Sequence, residues 1–179
     1  MRLWRGRVEV RHLKTLGPIP VLWDRWQLGN PFAPRLTLGA LLHTVSPSTE
    51  LVLDLKGGRM ELARLVLAVL PEGRRVTVCA RNWRLLSPFA AREEVRTVHS
   101  VGSARQLRRL LRRSRGTKLE GVSVHERLLD ARTAAELRPL ASLVMTWPVN
   151  TVQRAHELLA LGVDGLISDD LALAGTLSR

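Results

Sequence analysis

The chain has 179 residues, enough to bury a real core as one domain spanning 1–179. Hydrophobic residues make up 45% and charged residues 25%, an ordinary balance for a folded chain, and no apolar run reaches the roughly 18 residues that span a bilayer. A single cysteine, Cys79, excludes an internal disulfide. It sits in an apolar run and reads as a buried, inert thiol. Met1–Arg5 carries charge with no apolar stretch behind it, so no signal peptide is expected and the setting reads as cytoplasmic. The formal net charge of +12 suits phosphates, anionic headgroups or nucleic acid. The charge is mostly arginine in a chain rich in Leu, Ala, Val and Gly, which the base composition of a GC-rich genome also produces.

Short apolar runs alternate with helix-like stretches along the chain. Val8-Glu9-Val10 reads as a strand, and Val21-Leu22-Trp23 as an extended piece after the Gly17-Pro18-Ile19-Pro20 turn. Residues 25–35 read as a loop. Thr37 is placed to cap a short helix through Leu42. Leu51–Leu55 is a buried strand ended by Gly57-Gly58, and Met60–Leu70 has helical spacing with Pro71 and Gly73 behind it. Val76–Cys79 and Val95–Val101 follow as strands. Ser103 caps a helix through Arg113. Gly121–Val124 is a strand, Thr133 starts a helix to Leu140, and Leu143–Thr146 is a strand. Thr151 caps a helix to Leu161, Gly165–Ser168 is the last strand, and a final helix starts at Leu171. The alternation predicts an α/β fold with a parallel sheet. Counting the Val8 strand gives seven strand–helix units, a TIM-type (β/α) barrel one unit short, with an open doubly wound sheet as the competitor.

Val144-Met145-Thr146-Trp147-Pro148-Val149-Asn150 and, further on, Leu161-Gly162-Val163-Asp164-Gly165-Leu166-Ile167-Ser168-Asp169 resemble the end of a glycerophosphodiester phosphodiesterase. Leu51–Lys56 resembles that family's strand with an acidic residue, a spacer and lysine. Pro34–Leu38 is similar to its Pro-Thr-Leu segment, and Val8–Asp24 to the stretch from Glu-x-Asp to His-Asp. The resemblance spans almost the whole chain. It implies an incomplete barrel lacking the first strand–helix unit, with its site at the C-terminal ends of the strands. It further implies a divalent ion, Mg²⁺ or Ca²⁺, held by carboxylates on a phosphodiester, and two histidines as base and acid.

On that likeness Glu9 and Asp54 are the expected metal ligands, and Lys56 and Trp147 the expected phosphate and substrate contacts, with a structural Asp54–Lys56 pair and a core Trp147 as the competing readings. Hard oxygen donors suit Mg²⁺ or Ca²⁺, and the ion neutralises a phosphodiester that otherwise repels a nucleophile. The departures are equally specific. Arg11 stands at the second carboxylate position; residues i and i+2 of a strand face the same way, so it brings positive charge to the cation's place. Trp23 stands at a catalytic histidine, and an indole N–H only donates. The His-Arg-Gly and Glu-Asn-Thr motifs have no counterpart. His125, at a strand end, is the one histidine expected at the functional rim; His12, His43, His99 and His156 match no motif. Asn150 is expected to shape a turn.

Leu107, Leu110 and Leu111 form the apolar stripe of a basic amphipathic helix. It reads as an outer barrel helix, with its arginines open to anionic lipid headgroups or RNA phosphates. No specific nucleic-acid recognition is expected. Three functions are open: a relative of the family with impaired or lost hydrolysis that binds a phosphate-containing small molecule, an active metal-dependent phosphodiesterase, and a basic nucleic-acid or membrane-surface module on a barrel scaffold. Open edges at the Val8 and Gly165 strands predict a homodimer or cover by N-terminal residues.

Overall fold

The computed structural model describes residues 1–12, 14–16, 19–24, 27–29, 34–114 and 116–177, in two compact units, Met1–Val95 and Arg96–Arg179. In the first unit, β1 (Arg2–Trp4) and β2 (Arg7–Glu9) form an antiparallel hairpin with Leu3 opposite Val8. Arg5 and Gly6 both take positive φ, 45° and 73°, the backbone twist that suits a two-residue hairpin turn. The Val8 strand was expected to open the parallel sheet, its edge met by a second copy or by N-terminal residues. It does not pair with that sheet; the N-terminal β1 occupies one side of it, while Val10 N–H donates to Leu36 O at 2.8 Å and Glu9 bridges antiparallel to Thr37. A tight turn makes the neighbouring segment a closer ladder partner than a distant parallel strand.

By backbone, β3 (Lys14–Leu16), β4 (Ile19–Asp24) and β5 (Gln27–Gly29) form an antiparallel three-stranded sheet. The expected loop over 25–35 therefore contains a strand, whose ladder partner is Leu22–Asp24. Trp23 lies in β4, and its side chain falls outside the described residues, as do Gly17 and Pro18 of the expected turn.

Thr37 caps α1 (Leu38–Thr44), accepting from Ala40 N–H at 3.2 Å. β6 (Leu51–Leu55) and β7 (Val76–Ala80) pair in parallel around α2 (Met60–Val69), with Asp54 opposite Cys79. Leu62, Ala63 and Val66 of α2 pack with Leu53, Leu55 and Val78 in one buried cluster, each large side chain there stabilising the fold by about 1.5–3 kcal/mol. A 3-10 helix over Trp83–Phe89, with Pro88 inside it, adds Leu85, Leu86 and Phe89 to the cluster. Met1 and Leu3 pack against the same cluster, and Lys56 N–H donates to Met1 O at 2.9 Å.

In the second unit four parallel strands follow in order: β8 (Val95–Val101), β9 (Gly121–His125), β10 (Val144–Trp147) and β11 (Gly165–Leu166). Their crossovers carry α3 (Ala104–Arg113), α4 (Ala131–Leu137) and α5 (Val152–Ala160), and α6 (Leu171–Leu177) follows β11. Ser103 and Thr151 cap α3 and α5 as the sequence predicts. The fourth helix differs from its expected start at Thr133. Asp130 is the cap, its Oδ1 accepting from Thr133 N–H at 2.7 Å. That N–H, foremost, holds the Asp130 carboxyl below its usual range. An aspartate at the cap takes the N–H of the third helical residue, which here belongs to Thr133 itself.

Six parallel strands, two in the first unit and four in the second, alternate with helical segments in the α/β pattern of a TIM-type barrel. The seven-unit count fails only at the Val8 strand. Among the described residues no helix is long and apolar enough to cross a membrane.

Candidate active site

β6 turns Leu53 and Leu55 into the core and sets Val52 and Asp54 on the opposite face, as period-two alternation requires. Asp54 Oδ2 is in direct contact with Lys56 Nζ. The other carboxylate oxygen, Oδ1, is buried and meets no hydrogen-bond partner among the described residues. The Asp54 carbonyl accepts from the Met1 nitrogen. Across the ladder, burial pushes the Cys79 thiol up to about 12, and the Asp54 carboxylate adds to the push. The sulfur therefore stays protonated and, as expected from its apolar run, is buried.

Glu9 is among the few charged residues that are buried, and its oxygens face two guanidiniums. Arg11 Nε donates to Glu9 Oε2 at 2.5 Å, and Arg35 Nη1 to Glu9 Oε1 at 3.2 Å. The Arg11 and Glu9 side chains are only 9% and 5% exposed. Arg35 also lies over the Trp4 ring, 5.3 Å from its centroid, and Arg5 approaches the same ring at 5.4 Å, within cation–π reach. The hairpin thus uses Glu9 as the anchor for arginines from β2's end and from the residues before α1. Arg35 escaped the sequence reading, which took it as part of a loop; a buried glutamate beside a single arginine was the only available signal.

In these positions the expected metal ligands do not fit a divalent ion. Both carboxylates already hold cations, Glu9 the guanidiniums of Arg11 and Arg35 and Asp54 the ammonium of Lys56. An added divalent ion meets repulsion from guanidiniums that have no neutral form. Among the described residues no group of three or more His, Cys, Asp or Glu side chains is arranged to hold a metal.

In the second unit, His125 and Trp147 end neighbouring parallel strands and stand opposite each other in register. Their rings meet edge to face, centroids 4.7 Å apart and planes at 64°, a favoured aromatic geometry. His125 Nδ1 accepts from Arg127 N–H at 3.3 Å. That bond assigns the neutral ring's proton to Nε2. The loop behind it is braced by Arg154, which donates to Glu126 Oε2 at 3.0 Å, Glu126 O at 2.9 Å and Glu157 Oε2 at 2.9 Å. Asn150 Oδ1 accepts from Ser168 Oγ at 3.2 Å and Asp169 N–H at 3.4 Å, so it fastens a turn, as its sequence context suggests. Of the remaining histidines, His12, His43 and His156 are exposed. His99 lies within β8, where burial lowers its pKa.

No protein-family model matches the sequence, and no curated protein matches it significantly. Solved structures do. The phosphodiesterase of Oleispira antarctica in complex with the product sn-glycerol-3-phosphate matches with a TM-score of 0.65 and 19% identity, over 81% of this chain and 62% of that one. The glycerophosphodiester phosphodiesterase of Thermotoga maritima matches with a TM-score of 0.68 and 16% identity, over 80% of this chain and 64% of that one. This chain therefore spans less than two thirds of the length of either. The fold is that of the glycerophosphodiester phosphodiesterases.

Proposed function

We propose that this chain, with its glycerophosphodiester phosphodiesterase fold, is a protein of phospholipid-headgroup metabolism in which phosphodiester hydrolysis is impaired or lost. The observation that carries the reading is the buried Glu9 carboxylate, occupied by Arg11 and Arg35. A phosphodiester is anionic and repels an attacking oxygen nucleophile; a bound metal ion lowers that barrier. Here guanidiniums occupy the carboxylate that the family likeness offers to the ion. They attract a phosphate electrostatically but cannot lower the pKa of a bound water as an ion does. The sequence also places Trp23 where the likeness calls for a proton-transferring histidine, and an indole cannot do that work.

The ligand is a phosphate-containing small molecule, of the chemistry of the sn-glycerol-3-phosphate bound to the Oleispira antarctica structure. Lys56 in the first unit and Trp147 in the second are the proposed contacts, each to be tested separately. The assay is release of glycerol 3-phosphate from glycerophosphocholine, with Mg²⁺, with Ca²⁺ and with chelator, alongside calorimetric titration of glycerol 3-phosphate. The expected outcome is no turnover above the chelated control, and binding that chelator leaves unchanged but Lys56→Ala weakens. Metal-dependent turnover abolished by Asp54→Ala sinks the reading and makes the chain an active hydrolase.

A further inference from the structure

Helix α3 carries Arg105, Arg108, Arg109, Arg112 and Arg113, all exposed, and contains no carboxylate. At 3.6 residues per turn the five fall within an arc of about 140° on one side of the helix. Leu107, Leu110 and Leu111 lie opposite; Leu110 is fully buried and the other two half-buried. The leucines are thus committed to the protein, and the arginine face points outward with nothing apolar on it.

Among the described residues three other arginines of the same unit are ion-paired, whereas exposed Arg96 and Arg138 are not. Arg132 pairs with Glu136, Arg127 with Glu126, and Arg154 with Glu126 and Glu157. Among the described residues, Arg105, Arg108, Arg112 and Arg113 take part in no ion pair. Helices α4 and α5 each carry a glutamate alongside their arginine, and α3 carries none. Arg105, Arg108, Arg112 and Arg113, concentrated on one face with no ion-pair partner among the described residues, call for an anionic partner outside the chain.

We propose that the arginine face of α3 docks the protein on an anionic phospholipid surface. A convex face of guanidiniums suits a plane of headgroups that move laterally and gather under it. Single-stranded nucleic acid is held by aromatic platforms between its charges, and residues 96–118 contain no aromatic apart from His99, which is half-buried in β8. Because the leucines face inward, the docking is electrostatic, reversible and salt-sensitive. It does not depend on whether the chain hydrolyses a phosphodiester.

The test is vesicle flotation with the full chain. The vesicles are phosphatidylcholine alone, or phosphatidylcholine with phosphatidylglycerol at two to one, in low and high salt. The expected result is flotation with the anionic vesicles only, lost at high salt. Each arginine near an anionic surface is worth roughly fivefold in partitioning. The combined Arg105→Gln, Arg108→Gln, Arg112→Gln and Arg113→Gln variant should therefore lose about six hundredfold, with its thermal melt unchanged. Should that variant fold poorly, Arg108→Gln with Arg112→Gln should lose about twentyfold. Equal flotation with neutral vesicles, or undiminished flotation of the variants, overturns the proposal. So does absence of flotation, with or without binding to single-stranded RNA in the same buffer.

Discussion

Glu9, the last residue of β2, and Arg11, two residues beyond it, are bound to each other at 2.5 Å with both side chains almost wholly buried. A buried carboxylate needs a counter-charge, and removing one partner of such a pair typically costs about 3–5 kcal/mol. Arg35 remains at 3.2 Å to share the load, so Arg11→Met should cost less, about 2 kcal/mol. Adding Arg35→Met should bring the loss into the full range. Urea unfolding of the single and double variants measures both; additive, small losses would mean that Glu9 does not depend on these guanidiniums.

Arg11→Asp gives the complementary test. It places a second carboxylate beside Glu9 and removes a fixed cation. Divalent ions should then raise the melting temperature of the variant and leave that of the natural chain unchanged. A millimolar Mg²⁺ or Ca²⁺ response in the natural chain would show that its carboxylates already accept an ion.

The Cys79 thiol is pushed up from 9.0 to about 12 by burial and by Asp54. Its ionised form is therefore disfavoured in the fold, while the unfolded chain ionises near the ordinary value. The associated stability is intact below about pH 9 and is lost as pH rises from there toward 12. Cys79→Ala should flatten that alkaline limb of the urea midpoint, and alkylation of the natural thiol at pH 8 should be slow until the chain is unfolded. Rapid native-state alkylation would contradict both the burial and the shift.

His99 behaves oppositely in direction. Burial, opposed by Glu120, lowers its pKa below 6.5. The neutral ring is favoured in the fold, so stability is complete above about 6.5 and falls as pH drops below it, through the folded-state value. The urea midpoint should decline between pH 7 and pH 5, and His99→Gln should reduce the decline. An unchanged slope in that variant would assign the acid limb to other groups.

Arg154 holds the loop that follows His125, through the Glu126 carbonyl and carboxylate. It is 30% exposed, so solvent weakens the ionic part, and Arg154→Ala should cost about 1–2 kcal/mol. Amide exchange in residues 126–129 should quicken in the variant, whereas β8 should keep its protection. Unchanged exchange in that loop would leave Arg154 a surface residue.

The strands Leu51–Leu55 and Val95–Val101 were legible because apolar or β-branched residues make up most of each, between turn signals. Thr37, Ser103 and Thr151 were legible as caps because a lone hydroxyl precedes each apolar period. At Asp130 and Thr133 two cap residues compete within one turn, and only the geometry decides between them. The 3-10 helix over Trp83–Phe89 has too short an apolar pattern to declare its period. The acidic and basic residues of the site were readable one by one. Arg35 was not, because a contact between residues 26 apart in sequence depends on the intervening strands.

The arrangement around Glu9 also constrains how this sequence can change. Arg11 is at once the residue that disqualifies the metal site and a counter-ion that lets Glu9 remain buried. Exchanging it for an acid leaves two buried carboxylates against one guanidinium until an ion is supplied. A neutral residue leaves the glutamate leaning on Arg35 alone. Either single step lowers stability before it restores chemistry. The lock is coupled through the two salt bridges to Glu9, and undoing it calls for Arg11 and Arg35 to be altered together while Glu9 is kept.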